Sequence, residues 1–142
     1  MATIVTKYDH QWSLFVRSAI NLSSDTIKLA LVTNSYTPSI NHIAWADVSA
    51  NEVTSGNGYT TGGATLANPV INNNKVDFDD VIWTALTKTF RYAVCYLLGT
   101  RLTIVNPLLF YMLLDSTPQD ITSSGSNYKI EWSAINGVFY RP

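Results

Sequence analysis

The sequence is poor in charged residues, which limits the partners that it can bind. Charged side chains make up only 13% of the 142 residues, about half of the roughly 25% that is usual in globular proteins. Nine basic and ten acidic residues give a net charge of −1, and no block of like charge stands out. This balance excludes the basic surface of a protein that binds nucleic acid or an anionic membrane.

Cysteine and long apolar runs are equally scarce. Cys95 is the only cysteine, so the chain cannot form an internal disulfide. The longest apolar runs, residues 93–98 and 108–114, fall far short of the ~20 residues that a membrane-spanning helix needs. The first residues lack the basic start and the apolar stretch of a secretory signal, so we expect none.

The apolar segments that are present predict a mainly β protein. Residues 26–33 alternate between apolar and other side chains, as in a half-buried strand. Residues 90–98 and 107–115 are nearly continuously apolar, which favours strands buried on both faces, although the second segment also fits a helix. Shorter strands are predicted at residues 75–78, 127–132 and 137–141. Six or seven strands with polar turns between them indicate a single-domain, antiparallel, β-sandwich-like fold.

One short helix is predicted near the N-terminus. Apolar residues recur at helical spacing over residues 12–22. Residues 1–11 are mixed and polar without periodicity, so we describe them as an N-terminal arm before a β-rich domain of residues 12–142. The four tryptophans occupy positions on apolar faces, and most of them are expected in the core: Trp12, Trp45, Trp83 and Trp132.

Residues 49–70 hold four of the seven glycines of the chain. Glycine costs about 1 kcal/mol in a helix interior, and it accepts positive φ angles without strain. A phosphate-binding loop would end in a lysine, but no lysine occurs between Lys28 and Lys75. We therefore predict a loop of fixed geometry that leads into a strand, with Tyr59 available for contact.

No recognisable catalytic pattern is present in the sequence. His10 and His42 lie in the arm and in a loop, and neither belongs to a nucleophile motif. Cys95 lies in the most apolar segment, where burial raises the pKa of a thiol and makes it inert. We expect a non-enzymatic protein without a cofactor; a glycan hydrolase is the enzyme alternative, but its usual pair of carboxylates cannot be assigned.

One local cluster of carboxylates could hold a cation. It consists of Asp77, Asp79 and Asp80. The segment lacks the glycine and the distal glutamate of an EF-hand loop, and charges at a strand edge also discourage unwanted pairing. We therefore interpret these carboxylates as solvated side chains and predict no metal site.

Four segments occur in the order seen in a family of small structural proteins of tailed bacteriophages. They are DTIKLALVT at 25–33, WADVSANEVTSGNGYTTGG at 45–63, FDDVIW at 78–83 and FRYAVCY at 90–96. On these residues the chain resembles that family over roughly residues 25–96, and more loosely to its end.

The resemblance implies a virion protein, made in the cytoplasm of the bacterial host and located on the outer capsid surface as a cement or decoration protein. The major capsid protein and copies of the chain itself would be its partners, with a homotrimer on a lattice axis as the usual solution. No nucleic acid, membrane or small-molecule substrate is implied. The alternative is a tail-associated module or a receptor-binding adhesin.

Four residues are candidates for a protein interface, because tyrosine is enriched at such surfaces and these residues lie in polar surroundings. They are Tyr8, Tyr36, Asn57 and Tyr59. The arm is a further candidate, since it could reach an adjacent subunit and add avidity.

Overall fold

The computed structural model describes residues 4–72, 75–133 and 137–140. Within them the chain forms one α-helix, α1 at His10–Val16, and short 3-10 turns at Trp45–Asp47 and Ser49–Asn51. The strands are β1 Ile4–Lys7, β2 Ile27–Val32, β3 Ala64–Thr65, β4 Val70–Ile71, β5 Lys75–Asp77, β6 Val81–Phe90, β7 Tyr92–Leu97, β8 Thr100–Arg101, β9 Ile104–Val105, β10 Leu108–Leu113, β11 Ile121–Ile130 and β12 Phe139–Tyr140.

A five-stranded antiparallel sheet forms the centre of the fold, in the order β1-β10-β7-β2-β3. The apolar strand β7 lies in the middle, and all its residues after Tyr92 are buried. The prediction of a central strand buried on both faces is therefore confirmed. The segment 107–115 contains strand β10 at Leu108–Leu113 rather than a helix, because β10 pairs with β1 on one side and with β7 on the other.

Both faces of this sheet are covered. On one face, Leu29, Cys95 and Phe110 pack into a core with residues of β6 and β11 such as Phe90 and Ile130. On the opposite face, a second cluster is formed by strand residues and by the loop after β2; it contains Tyr8, Ala30, Val32, Tyr36, Val48, Val94, Tyr96 and Leu108. The predicted fold class is confirmed: a mainly β, antiparallel, sandwich-like single domain with one short helix.

The ribbon of β6 and β11 is longer than the sequence pattern suggested. Each strand has ten residues, and β11 runs through the polar segment 123–127. The outer face of the ribbon carries serine and threonine side chains, so the segment shows no apolar pattern. Backbone hydrogen bonds to the partner strand nevertheless hold it extended. Only Arg91 separates β6 from β7, so the chain passes between the two layers within one residue.

The region described as an N-terminal arm belongs largely to the fold. Ile4–Lys7 is instead an edge strand that pairs with β10, and the helix begins at His10. A strand this short shows no periodicity, so only its partner reveals it. The first three residues of the predicted arm lie outside the described residues.

The helix is shorter than predicted. It was expected over residues 12–22 and ends at Val16, because Ser18 adopts a left-handed conformation with a φ of 55°. The backbone nitrogen of Ala19 then donates to the carbonyl of Leu14, which closes the helix end. Trp12 was placed in the core with the other tryptophans, but 75% of its side chain is exposed.

Two small sheets complete the architecture. Strand β5 lies between β4 and β12, and β8 pairs with β9 in a tight hairpin. No helix of the described ranges is long and apolar enough to cross a membrane.

Candidate functional site

Three of the four residues assigned to an interface lie in the interior. Tyr8, Tyr36 and Tyr59 are buried, with at most 3% of each exposed. In the folded chain they therefore present no surface that a partner protein could contact. Asn57 is exposed, and its carbonyl accepts a hydrogen bond from the backbone nitrogen of Thr87. Polar neighbours in sequence indicated exposure wrongly, because distant segments cover the tyrosine rings.

Tyr59 fastens the glycine-rich loop to the central sheet. Its hydroxyl donates to the Glu52 carboxylate at 2.7 Å and accepts from the backbone nitrogen of Leu31 at 3.1 Å. The same carboxylate accepts from the backbone nitrogen of Gly62, and the hydroxyl of Tyr96 donates to the Gly62 carbonyl at 2.8 Å. Burial and the neighbouring Glu52 raise the pKa of Tyr59, which keeps this network protonated and structural.

Tyr8 and Tyr36 form a second buried network beneath the loop after β2. Their hydroxyls share a hydrogen bond of 2.9 Å, and a bond of 2.9 Å joins Tyr36 to Nδ1 of His42. Burial raises the pKa of both phenols. The network therefore holds the loop against the outer face of the sheet.

The carboxylates of the acidic cluster do not converge. Asp77 pairs with Lys75 at 3.6 Å, whereas Asp80 accepts from the backbone nitrogen of Trp132 and pairs with Lys129 at 3.2 Å. Asp79 bonds to Asn68. Among the described residues no group of three or more potential ligands could hold a metal ion.

Cys95 is fully buried in the central strand. Burial raises the pKa of its thiol well above the usual range. The thiol is thus a core side chain, as the sequence predicted.

The hairpin of β8 and β9 presents an apolar surface that the sequence analysis missed. We call the exposed side chains of Ile43, Leu98, Leu102 and Val105 the hairpin surface. Each is between 42% and 61% exposed. Ile43 and Val105 line one groove of about 500 Å³, whose wall also includes Trp45. Exposed apolar side chains that share a groove, as Ile43 and Val105 do, mark surfaces for other molecules more often than isolated ones do.

The turn of this hairpin is held in a strained conformation. Leu102 and Thr103 form its two central positions, with φ angles of 48° and 67°. A two-residue hairpin turn of type I′ has positive φ at both positions and normally uses asparagine and glycine there. Other residues pay roughly 1–2 kcal/mol each for the left-handed region, and such strain collects at functional sites.

Several contacts brace the hairpin against the body of the protein. The guanidinium of Arg101 pairs with the Asp25 carboxylate at 2.7 Å. The side chain of Asn106 accepts from the backbone nitrogen of Gly99, and its own backbone nitrogen donates to the Gly99 carbonyl. The Asn106 carbonyl accepts from the backbone nitrogen of Trp45. The apolar tip is therefore presented on a rigid base.

Trp45 forms the floor beside the hairpin surface. Its ring stacks on Tyr96 with the centroids 4.5 Å apart, and burial raises the pKa of Tyr96 to about 12. Trp45 is one of the four tryptophans of which most were expected in the core, and it packs against the second cluster while remaining half-buried. The signal that could have revealed the site was the apolar Leu102 at the tip of a turn.

Comparison with protein-family models, with curated proteins and with solved structures found no match.

Proposed function

We propose that this chain is a non-enzymatic structural protein of a tailed-phage virion, which binds the outer capsid surface and stabilises the shell. The hairpin surface is the observation that carries the proposal, because it offers exposed apolar side chains for docking. The resemblance of residues 25–96 to phage structural proteins supplies the location and the major capsid protein as partner.

The low charge of the chain agrees with this proposal. Removing charges from water is costly, so a protein that covers its surface with neighbours benefits from having few of them. Burying an exposed leucine or isoleucine contributes about 1.5–3 kcal/mol. Many copies on one shell, assembled as homotrimers on symmetry axes, would multiply a modest contact through avidity.

The test is binding to expanded empty capsids. We expect the purified protein to sediment with the capsids, to raise their melting temperature and to elute as a trimer in light-scattering chromatography. Leu102→Asn and Val105→Asp should weaken capsid binding by about tenfold or more, as loss of a central apolar contact does.

Ile82→Asp is the matched control, since Ile82 is 53% exposed on β6 and lies outside the hairpin surface. It should bind like the wild type. Absence of capsid binding, together with binding to whole host cells, would overturn the proposal in favour of a tail-associated or receptor-binding module.

A further inference from the structure

A second groove, of about 360 Å³, lies where α1 meets β1, β5 and β12. We call it the helix groove. None of its lining residues belongs to the hairpin surface. Its volume is at the small end of the roughly 300–1,000 Å³ typical of ligand sites, which suits a single small ring better than a long segment of protein.

Aromatic side chains form part of the lining of the helix groove. Trp12 lines it with 75% of its side chain exposed, although Leu14, two residues later, is fully buried. Phe15 and Phe139 meet edge to face at 82° and form the adjoining wall above Val76. The indole therefore offers a free flat face beside an apolar floor.

Polar groups with unused hydrogen-bonding capacity line the same groove. Gln11 is 5% exposed, and its Nε2 has no hydrogen-bond partner among the described residues. The Asp9 side chain makes no capping hydrogen bond to α1. Lys7 places its Nζ 5.5 Å from the centre of the Phe139 ring, and in the described part of the chain neither Lys7 nor Asp9 forms an ion pair.

A buried amide without a partner costs stability. The usual penalty is about 1–3 kcal/mol. Gln11 lines the helix groove, and the terminal torsion of glutamine is soft, so the amide is free to adjust to a ligand there. A ligand oxygen would then supply the missing partner.

Together these residues select a particular ligand chemistry. Aromatic side chains next to hydrogen-bond donors and acceptors match a ring that has one C–H face and a rim of hydroxyls. The charges of Lys7 and Asp9 have opposite sign, so the helix groove favours a neutral ligand over an ion. We propose that it binds a neutral saccharide unit, which stacks on Trp12 and donates or accepts hydrogen bonds at Lys7, Asp9 and Gln11.

This inference is independent of the proposed function. Capsid binding is assigned to the hairpin surface, and saccharide binding to the helix groove. A variant of one surface should leave the other activity unchanged, so failure of either proposal is visible separately.

The test is calorimetric titration of the full chain with three neutral probes: maltotriose, cellotriose and triacetylchitotriose. We expect at least one of them to bind, with the C–H face of a sugar ring showing the strongest saturation transfer in NMR. Trp12→Ala should weaken binding by about tenfold or more, which corresponds to 1.4 kcal/mol. Because Trp12 is mostly exposed, this variant should keep the wild-type melting temperature.

Val16→Ala is the matched control, since Val16 is exposed on the same helix but does not line the groove. It should bind like the wild type, whereas Gln11→Met should fold and bind more weakly. If the bound trisaccharide competes with the attachment of this protein to intact bacteria, the natural ligand is a cell-surface glycan. If it does not compete, the natural ligand is a free oligosaccharide.

Three results would overturn the proposal. The first is that none of the three probes binds, and the second is that Trp12→Ala binds as tightly as the wild type. The third is that Trp12 becomes more shielded from a fluorescence quencher as the protein concentration rises. The last result would make the helix groove an interface between copies of the chain.

Discussion

The strained turn between β8 and β9 allows a test in which a substitution by glycine should stabilise the protein rather than destabilise it. Thr103 is exposed and has a φ of 67°, so Thr103→Gly removes strain and little packing. Removing the strain of the left-handed region should raise the free energy of unfolding by roughly 1–2 kcal/mol. The greater freedom of glycine in the unfolded chain should lower it by about 0.5–1 kcal/mol. We expect a net stabilisation of about 0.5–1 kcal/mol, which raises the melting temperature by about 2–4 °C in a chain of this size.

Thr100→Gly is the matched control for this prediction. Thr100 is also an exposed threonine of the hairpin, but it lies in β8 without a positive φ. There the same substitution should lower the free energy of unfolding by about 0.5–1 kcal/mol. Urea unfolding with a common slope and scanning calorimetry measure both variants. If both lose stability to the same extent, Thr103 is not strained and the argument for a functional turn fails.

Three further predictions concern the interior. Gly63→Ala should lower the free energy of unfolding in urea by more than about 3 kcal/mol, since the added Cβ would meet the Leu29 carbonyl. Gly125 also has a positive φ but faces open space, so Gly125→Ala should cost only about 1–2 kcal/mol. Equal costs for the two variants would contradict the close approach at Gly63. Gln11→Met should raise the unfolding free energy by about 1 kcal/mol, because it removes a buried amide nitrogen without a partner among the described residues. A loss of stability would contradict this. Burial lowers the pKa of His10 below its usual 6.5, so the unfolded chain binds a proton at higher pH than the folded chain does. Stability should therefore fall as pH drops below about 6.5. His10→Gln should flatten that part of the curve of melting temperature against pH.

Hydropathy predicted the strands at the centre of the fold but not those at its edges. Strands β2, β7 and β10 are buried on at least one face, so their apolar patterns are strong enough to read. The ribbon strand β11 carries a polar outer face and two register shifts, which erase the period of two on which such a prediction depends. Strand β1 is too short to have a period and is recognised only by its pairing with β10.

The helix shows how backbone conformation can override a side-chain pattern. The apolar spacing continues to Leu22, yet α1 ends at Val16 because Ser18 turns left-handed. Ile20 and Leu22 still reach the core, but from an irregular segment. Burial was thus predictable here, whereas the secondary structure that achieves it was not.

By itself, the sequence determined the fold class, the central strands and the buried position of the Cys95 thiol. These properties depend on local patterns and on residue type. Only the tertiary structure decided which aromatic residues face the solvent. Tyr59 is buried because Glu52 and the backbone of Leu31 satisfy its hydroxyl, whereas Trp12 and Leu102 stay exposed because no distant segment of the described chain covers them. Exposure is a property of long-range contacts, so neither the hairpin surface nor the helix groove could be located before the chain was folded.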